Sequence, residues 1–101
     1  MHEPDLSQSQ SPKAYLVKDT DLLRSLKDRQ MSALEMLYQR YGGVVYGIAL
    51  KALKTPQDAE DLVQEIFLAL WNHPPNPEHS YFVRYLVTMT RTRVIDKSND
   101  C

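Results

Sequence analysis

From residue 19 almost to the end, apolar positions recur at steps of three and four, the period of helices that each bury one stripe. Leu22, Leu23 and Leu26 share a face of a short first helix, which Asp19 or Thr20 can cap and which ends near Arg29. Ser32 and Glu35 then stand at capping-box spacing, in which hydroxyl and carboxylate each satisfy an orphan backbone donor, so a second helix is predicted to start there. Its apolar set, Leu34, Leu37, Tyr38, Tyr41, Val45, Ile48, Ala49 and Ala52, carries it to about Lys54. Gly42 and Gly43 fall inside it. Each glycine costs about 1 kcal/mol relative to alanine within a helix, which predicts a kink there or a close backbone neighbour.

Thr55-Pro56-Gln57-Asp58 is a strong helix start, with threonine as cap, proline at the tolerated first position and an acid at the positive end of the dipole. The third helix runs to about Asn72 and has two distinct faces. One is a core stripe of Ala59, Leu62, Val63, Ile66, Phe67, Leu70 and Trp71; the other carries Asp58, Asp61, Gln64, Glu65 and Leu68. Pro74-Pro75-Asn76-Pro77 must be a loop, after which Ser80 can cap a fourth helix reaching Asp96 or slightly beyond. No segment reads as a strand and none repeats at a fixed period. The expected fold is all-α, a compact bundle of three main helices plus a short N-terminal helix over residues 19–101. Residues 1–18, with Ser7, Gln8, Ser9, Gln10, Ser11 and two prolines, read as a flexible leader whose composition cannot repay its ordering entropy.

Composition narrows what such a bundle can do. At 101 residues, 43% of them hydrophobic and 25% charged, the chain can hold one core and has little room for a large catalytic pocket. A net charge of −1 denies it the basic field of a protein that grips duplex DNA unaided. The single cysteine, Cys101, excludes an internal disulfide, and the first residues do not read as a signal peptide, so a cytoplasmic location is expected. The most apolar run, residues 44–53, is broken by Gly47 and Lys51 and is too short for a bilayer, which predicts no membrane insertion. Glycine-rich phosphate loops, paired cysteines and nucleophile elbows are all missing. His73 and His79 flank the proline loop without the spaced His or Cys cluster a metal needs, and read as solvated loop histidines. The chain is expected to be non-enzymatic and to carry no cofactor.

What charge there is, is divided. The third helix has four acids, Asp58, Glu60, Asp61 and Glu65, with no basic residue between Thr55 and Trp71. Such a run usually means only a solvated face; Leu68, one turn from Glu65 and two from Asp61, lifts the alternative, a mixed strip suited to a basic partner helix. From Tyr81 onward four basic residues oppose two acids. On that fourth helix Tyr81, Arg84, Tyr85, Thr88, Arg91 and Thr92 share one side, while Phe82, Leu86, Met89 and Arg93 lie nearer another. Aromatic rings that stack on bases, beside guanidinium groups that pair with phosphates, are the means of holding single-stranded nucleic acid. The alternative is that both tyrosines belong to the core and the arginines are simply solvated.

Ala59-Glu60-Asp61-Leu62-Val63-Gln64-Glu65-Ile66-Phe67 followed by Trp71, with Tyr85-Leu86 ahead of Arg91 and Val94-Ile95-Asp96, resembles region 2 of bacterial sigma factors of the extracytoplasmic-function (ECF) group, in the sigma-70 family. Asp21-Leu22-Leu23 and the stretch from Ala33 to Tyr41 are similar to the opening of that domain, so the likeness covers about residues 19–97. The resemblance implies a transcription initiation factor that docks on RNA polymerase core through its third helix. It also implies reading and helping to melt the promoter minus-ten element, as single-stranded non-template DNA, through the following loop and the fourth helix. By the family pattern Asp58, Asp61, Gln64, Glu65, Leu68 and Trp71 would lie at the coiled coil of the polymerase β′ subunit. Asn72, His73, Ser80, Tyr81, Arg84, Tyr85, Thr88, Arg91 and Thr92 would face DNA, with residues 72–80 shaping a pocket for a flipped base, an extrusion that costs a few kcal/mol and must be repaid by stacking. Polymerase would supply much of the binding energy, which fits the near-neutral charge. Tyr85 stands where the family often has tryptophan and Thr92 where asparagine is common, so the base preference is expected to differ. The helix-turn-helix domain that reads the minus-thirty-five element is not within these 101 residues. That leaves a second expectation open, a truncated regulatory module that occupies polymerase or an anti-sigma factor without directing initiation.

Overall fold

The longest apolar stripe forms the longest helix of the computed structural model, which describes residues 17–77 and 81–98. Among the described residues there are four helices and no strand: α1 (Asp19–Lys27), α2 (Met31–Leu53), α3 (Pro56–Asn72) and α4 (Phe82–Ser98). α2 is the spine of this all-α bundle, packing against each of the other three. Leu23 and Leu26 of α1, Leu37 and Val45 of α2, Leu62, Ile66 and Leu70 of α3, and Leu86 of α4 are the largest apolar side chains sealed from solvent. At about 1.5–3 kcal/mol for each large aliphatic side chain buried, this single cluster is the main driving force for assembly. Of the leader expected over residues 1–18, residues 1–16 lie outside the described residues; Val17 packs on the core and Lys18 is the N-cap of α1.

The helix ends differ from the sequence expectation at three places. Neither Asp19 nor Thr20 caps α1, because the Lys18 carbonyl accepts the amides of Asp21 and Leu22 and the Asp19 side chain is drawn elsewhere. α1 closes in a Schellman turn, with Arg29 N–H donating to the Leu26 carbonyl and Gln30 N–H to the Ser25 carbonyl. Arg29 takes the left-handed position, at φ 62°. That turn makes Gln30 the N-cap of α2, and its carbonyl accepts from Ala33. The helix therefore starts at Met31 and the Ser32/Glu35 capping box does not form. Thr55 is the N-cap of α3 and Pro56 its first residue, but the threonine hydroxyl donates to Asp58 Oδ2 at 2.8 Å rather than accepting a backbone amide.

α2 runs unbroken through Gly42 and Gly43. A Cβ at Gly42 would meet the Tyr38 ring one turn back at 3.4 Å, the edge of ordinary van der Waals contact, so its nearest neighbour is an aromatic ring and not another backbone. Gly43 is exposed with open space beside it. Tyr38 and Ala52, expected in the core, are exposed; the Tyr38 ring lies edge-on against Phe67 with centroids 5.2 Å apart. Thr90 is completely buried at the centre of α4, its hydroxyl satisfied by donating to the Leu86 carbonyl at 2.8 Å.

Candidate functional site

α3 buries Ala59, Leu62, Val63, Ile66, Phe67 and Leu70, which turns its opposite side outward. Asp58, Asp61, Gln64 and Leu68 are exposed there, Leu68 at 59% of its surface. Polar side chains one turn back hold the first two acids in place: Thr55 Oγ1 donates to Asp58, and Gln57 Nε2 to Asp61 Oδ1 at 3.4 Å. Glu65 is half-buried and engaged across the bundle, Lys97 Nζ lying 2.9 Å from its Oε2 and Arg93 Nη1 3.8 Å from its Oε1. The hydrogen bond and charge of Glu65 raise the Lys97 pKa, with Asp61 and Asp58 adding to the field, so Lys97 remains charged well into the alkaline range. The basic end of α4 thus leans on the acidic strip of α3. Beside the strip, Tyr38, Gln39, Gly42, Gly43 and Tyr46 of α2 and Glu60, Val63 and Gln64 of α3 line an open groove of about 540 Å³.

Trp71 closes the strip, but it is half-buried. The Arg29 guanidinium lies 3.9 Å above its ring centroid, and Arg29 Nη1 donates to the Trp71 carbonyl at 2.5 Å. Asn72, the last residue of α3, and His73, its C-cap, are exposed, and the His73 amide bonds the Ala69 carbonyl. The loop then turns inward, with Pro74 and Pro75 half-buried and Pro77 buried. Ser80, expected both as a cap and in the DNA set, and His79 lie outside the described residues. Among the described residues no group of three or more His, Cys, Asp or Glu side chains could hold a metal ion.

α4 has the opposite character. Phe82 and Leu86 are buried and Met89 half-buried, so Tyr81, Arg84, Tyr85, Thr88, Arg91 and Thr92 all fall on the exposed side. At 1.5 Å per residue they form a ribbon about 16 Å long. Tyr81, 60% exposed, accepts the first helical bond through its carbonyl from the Tyr85 amide, and the Arg84 guanidinium sits 5.4 Å from its ring centroid. Tyr85 is 37% exposed with its ring tilted against Phe82, and Phe82 in turn meets Tyr41 of α2 edge to face. The tyrosines are neither core nor free-floating: both are exposed, and each is contacted, Tyr81 by Arg84 and Tyr85 by Phe82. Arg91 also borders a groove of about 730 Å³ that it shares with Val44, Gly47 and Ile48 of α2 and Ile95 of α4.

An acidic and apolar strip on one helix and an aromatic and arginine ribbon on the next, joined by a proline loop, invite comparison with known proteins. Residues 37–100 match the family described as Sigma-70 region 2. The chain belongs to that family. It is 29% identical over 86 residues to an ECF RNA polymerase sigma factor SigK of Mycobacterium sp. (strain KMS), an alignment covering 82% of this chain and 45% of the relative. Against an ECF RNA polymerase sigma factor SigK of Mycolicibacterium vanbaalenii it is 26% identical over 78 residues, covering 75% of this chain and 40% of the relative. The chain spans less than half the length of these relatives. No solved structure matches it significantly.

Two features of this region 2 domain escape sequence reasoning. Asp19 accepts from Arg40 Nη1 at 2.8 Å and from the Tyr41 hydroxyl at 2.5 Å, latching α1 onto α2. Burial first, then the hydrogen bond to Asp19, push the Tyr41 hydroxyl from its ordinary 10.0 up to about 12. Arg29 is the other. A non-glycine residue in the left-handed region costs about 1–2 kcal/mol, while an exposed cation–π contact returns about 0.5–1 kcal/mol and a hydrogen bond about as much. Gain and strain are of similar size, so arginine at this position adds little net stability. Neither residue carries a sequence signal, since the partners are separated by 21, 22 and 42 positions.

Proposed function

We propose that this domain is the part of an alternative, ECF-type sigma factor that docks on RNA polymerase core and engages the melted minus-ten element, acting in the cytoplasm as a non-catalytic initiation factor. The observation that carries the reading is the pairing of two opposed exposed faces on consecutive helices: acids with Leu68 on α3, tyrosines with arginines on α4. Membership of the region 2 family supports it, as does the similarity to ECF RNA polymerase sigma factors. In this reading Asp58, Asp61, Gln64, Glu65, Leu68 and Trp71 meet the basic surface of the β′ coiled coil. Leu68 supplies apolar contact and the carboxylates supply orientation and encounter rate.

The unpaired bases of the non-template strand then lie along α4. Tyr81 and Tyr85 offer exposed aromatic surface, Arg84 and Arg91 answer phosphates, and Thr88 and Thr92 offer hydroxyls to base edges. Asn72 and His73, with the buried Pro77 fixing the loop beyond them, bound one end of this track. No bond is made or broken; the domain contributes selection and trapping of a strand that polymerase helps to open. Titration of the chain with a β′ coiled-coil fragment at two salt concentrations tests the docking half. Salt-sensitive binding that Asp61→Lys with Glu65→Lys removes supports the proposal, and equal binding by that variant refutes it.

A further inference from the structure

We infer that Arg29 is a positioning residue for the polymerase-docking face, holding the Trp71 ring and the last turn of α3 in the orientation that the partner meets. This rests on the proposed docking role of α3. The left-handed position that ends α1 suits glycine, yet it holds arginine at φ 62°. The side chain accounts for the choice: it crosses from the α1–α2 turn to the far end of α3, lays its guanidinium 3.9 Å over the Trp71 ring and donates to the Trp71 carbonyl. One planar group therefore fixes both a side chain and the backbone from which it projects, which a lysine ammonium cannot do.

The place matters as much as the contact. Trp71 stands where the acidic strip ends and the proline loop begins, one residue before Asn72. The last turn of α3 contains no basic residue of its own to meet its terminal carbonyls. Arg29 supplies that charge from another element and, being exposed, adds a cation to the edge of an otherwise acidic face. One side of the tryptophan packs on the core, and Arg29 adds a restraint that holds the ring and its backbone carbonyl together.

Trp71 is the only tryptophan in the chain, so its fluorescence reads this contact directly. Arg29→Gly is the decisive variant because glycine relieves the backbone and keeps the fold. The expected result is an equal or higher melting temperature, acrylamide quenching of Trp71 increased about twofold, and affinity for the β′ coiled-coil fragment reduced about five- to tenfold. Arg29→Lys should fall between the two in quenching and affinity. Unchanged affinity in Arg29→Gly overturns the inference, and so does reduced affinity with unchanged quenching, which would mean that Arg29 acts other than through Trp71. The Asp61→Lys and Glu65→Lys control separates the two levels: if it too leaves binding intact, the docking role of α3 fails and this inference fails with it.

Discussion

Asp19 and Glu65 are both carboxylates gripped by two groups from another helix, and they do different work because of where they sit. The Asp19 and Arg40 side chains are 26% and 23% exposed, and the Tyr41 hydroxyl completes the set from the same helix. The Glu65 and Lys97 side chains are 42% and 36% exposed, in a strip that already faces water. Partly enclosed, the first cluster has less water to turn to, so removing Asp19 deprives the Tyr41 hydroxyl of its acceptor. The open cluster can exchange its partner for water or for another protein at little cost. Similar chemistry thus serves as a latch between α1 and α2 and as an exposed pairing between α3 and α4.

The largest stability effect expected from this contrast belongs to the latch. Asp19→Ala should lower unfolding free energy by about 1–3 kcal/mol, since it takes the acceptor from the part-buried Tyr41 hydroxyl and the ion pair from Arg40; urea denaturation measures it. A pH titration of stability sharpens the same point. Tyr41 in the folded chain keeps its proton to about pH 12, whereas the unfolded chain releases it near 10. The raised folded-state value means that this contribution is whole below pH 10 and is lost as pH rises toward 12. Tyr41→Phe should flatten that slope. The smallest effect falls to the open cluster: Glu65→Gln should change stability by less than about 1 kcal/mol. A loss as large as that of Asp19→Ala would erase the distinction between latch and surface.

The parts of the molecule legible in the sequence are those governed by local periodicity. The α3 stripe is buried at Ala59, Leu62, Val63, Ile66, Phe67 and Leu70, and the six residues from Tyr81 to Thr92 assigned to one side of α4 are all exposed. Both follow from the helical repeat acting over a few turns. Local cap signals fared worse where tertiary geometry competes with them. Asp19 is taken by Arg40 and Tyr41, and the Ser32/Glu35 box is pre-empted by the Schellman turn just before it. The Arg29 contact with Trp71 was illegible, because nothing in the intervening chain brings an exposed arginine over a particular ring until the bundle has formed. Glu65 shows the same limit from the other side: its place in the acidic face is periodic, but its engagement by Lys97 and Arg93 depends on how α4 crosses α3.

The central claim is that α3 and α4 serve two different ligands, and a crossed experiment with core polymerase and a labelled single-stranded minus-ten oligonucleotide tests it most directly. Two variants are compared, Asp61→Lys with Glu65→Lys, and Tyr81→Ala with Arg84→Ala. The first should lose core binding, and with it DNA retention. The second should bind core normally but retain the oligonucleotide more weakly, by about 1–3 kcal/mol for each lost stacking residue. Equal loss of core binding by both variants, or full DNA retention by the second, would contradict it.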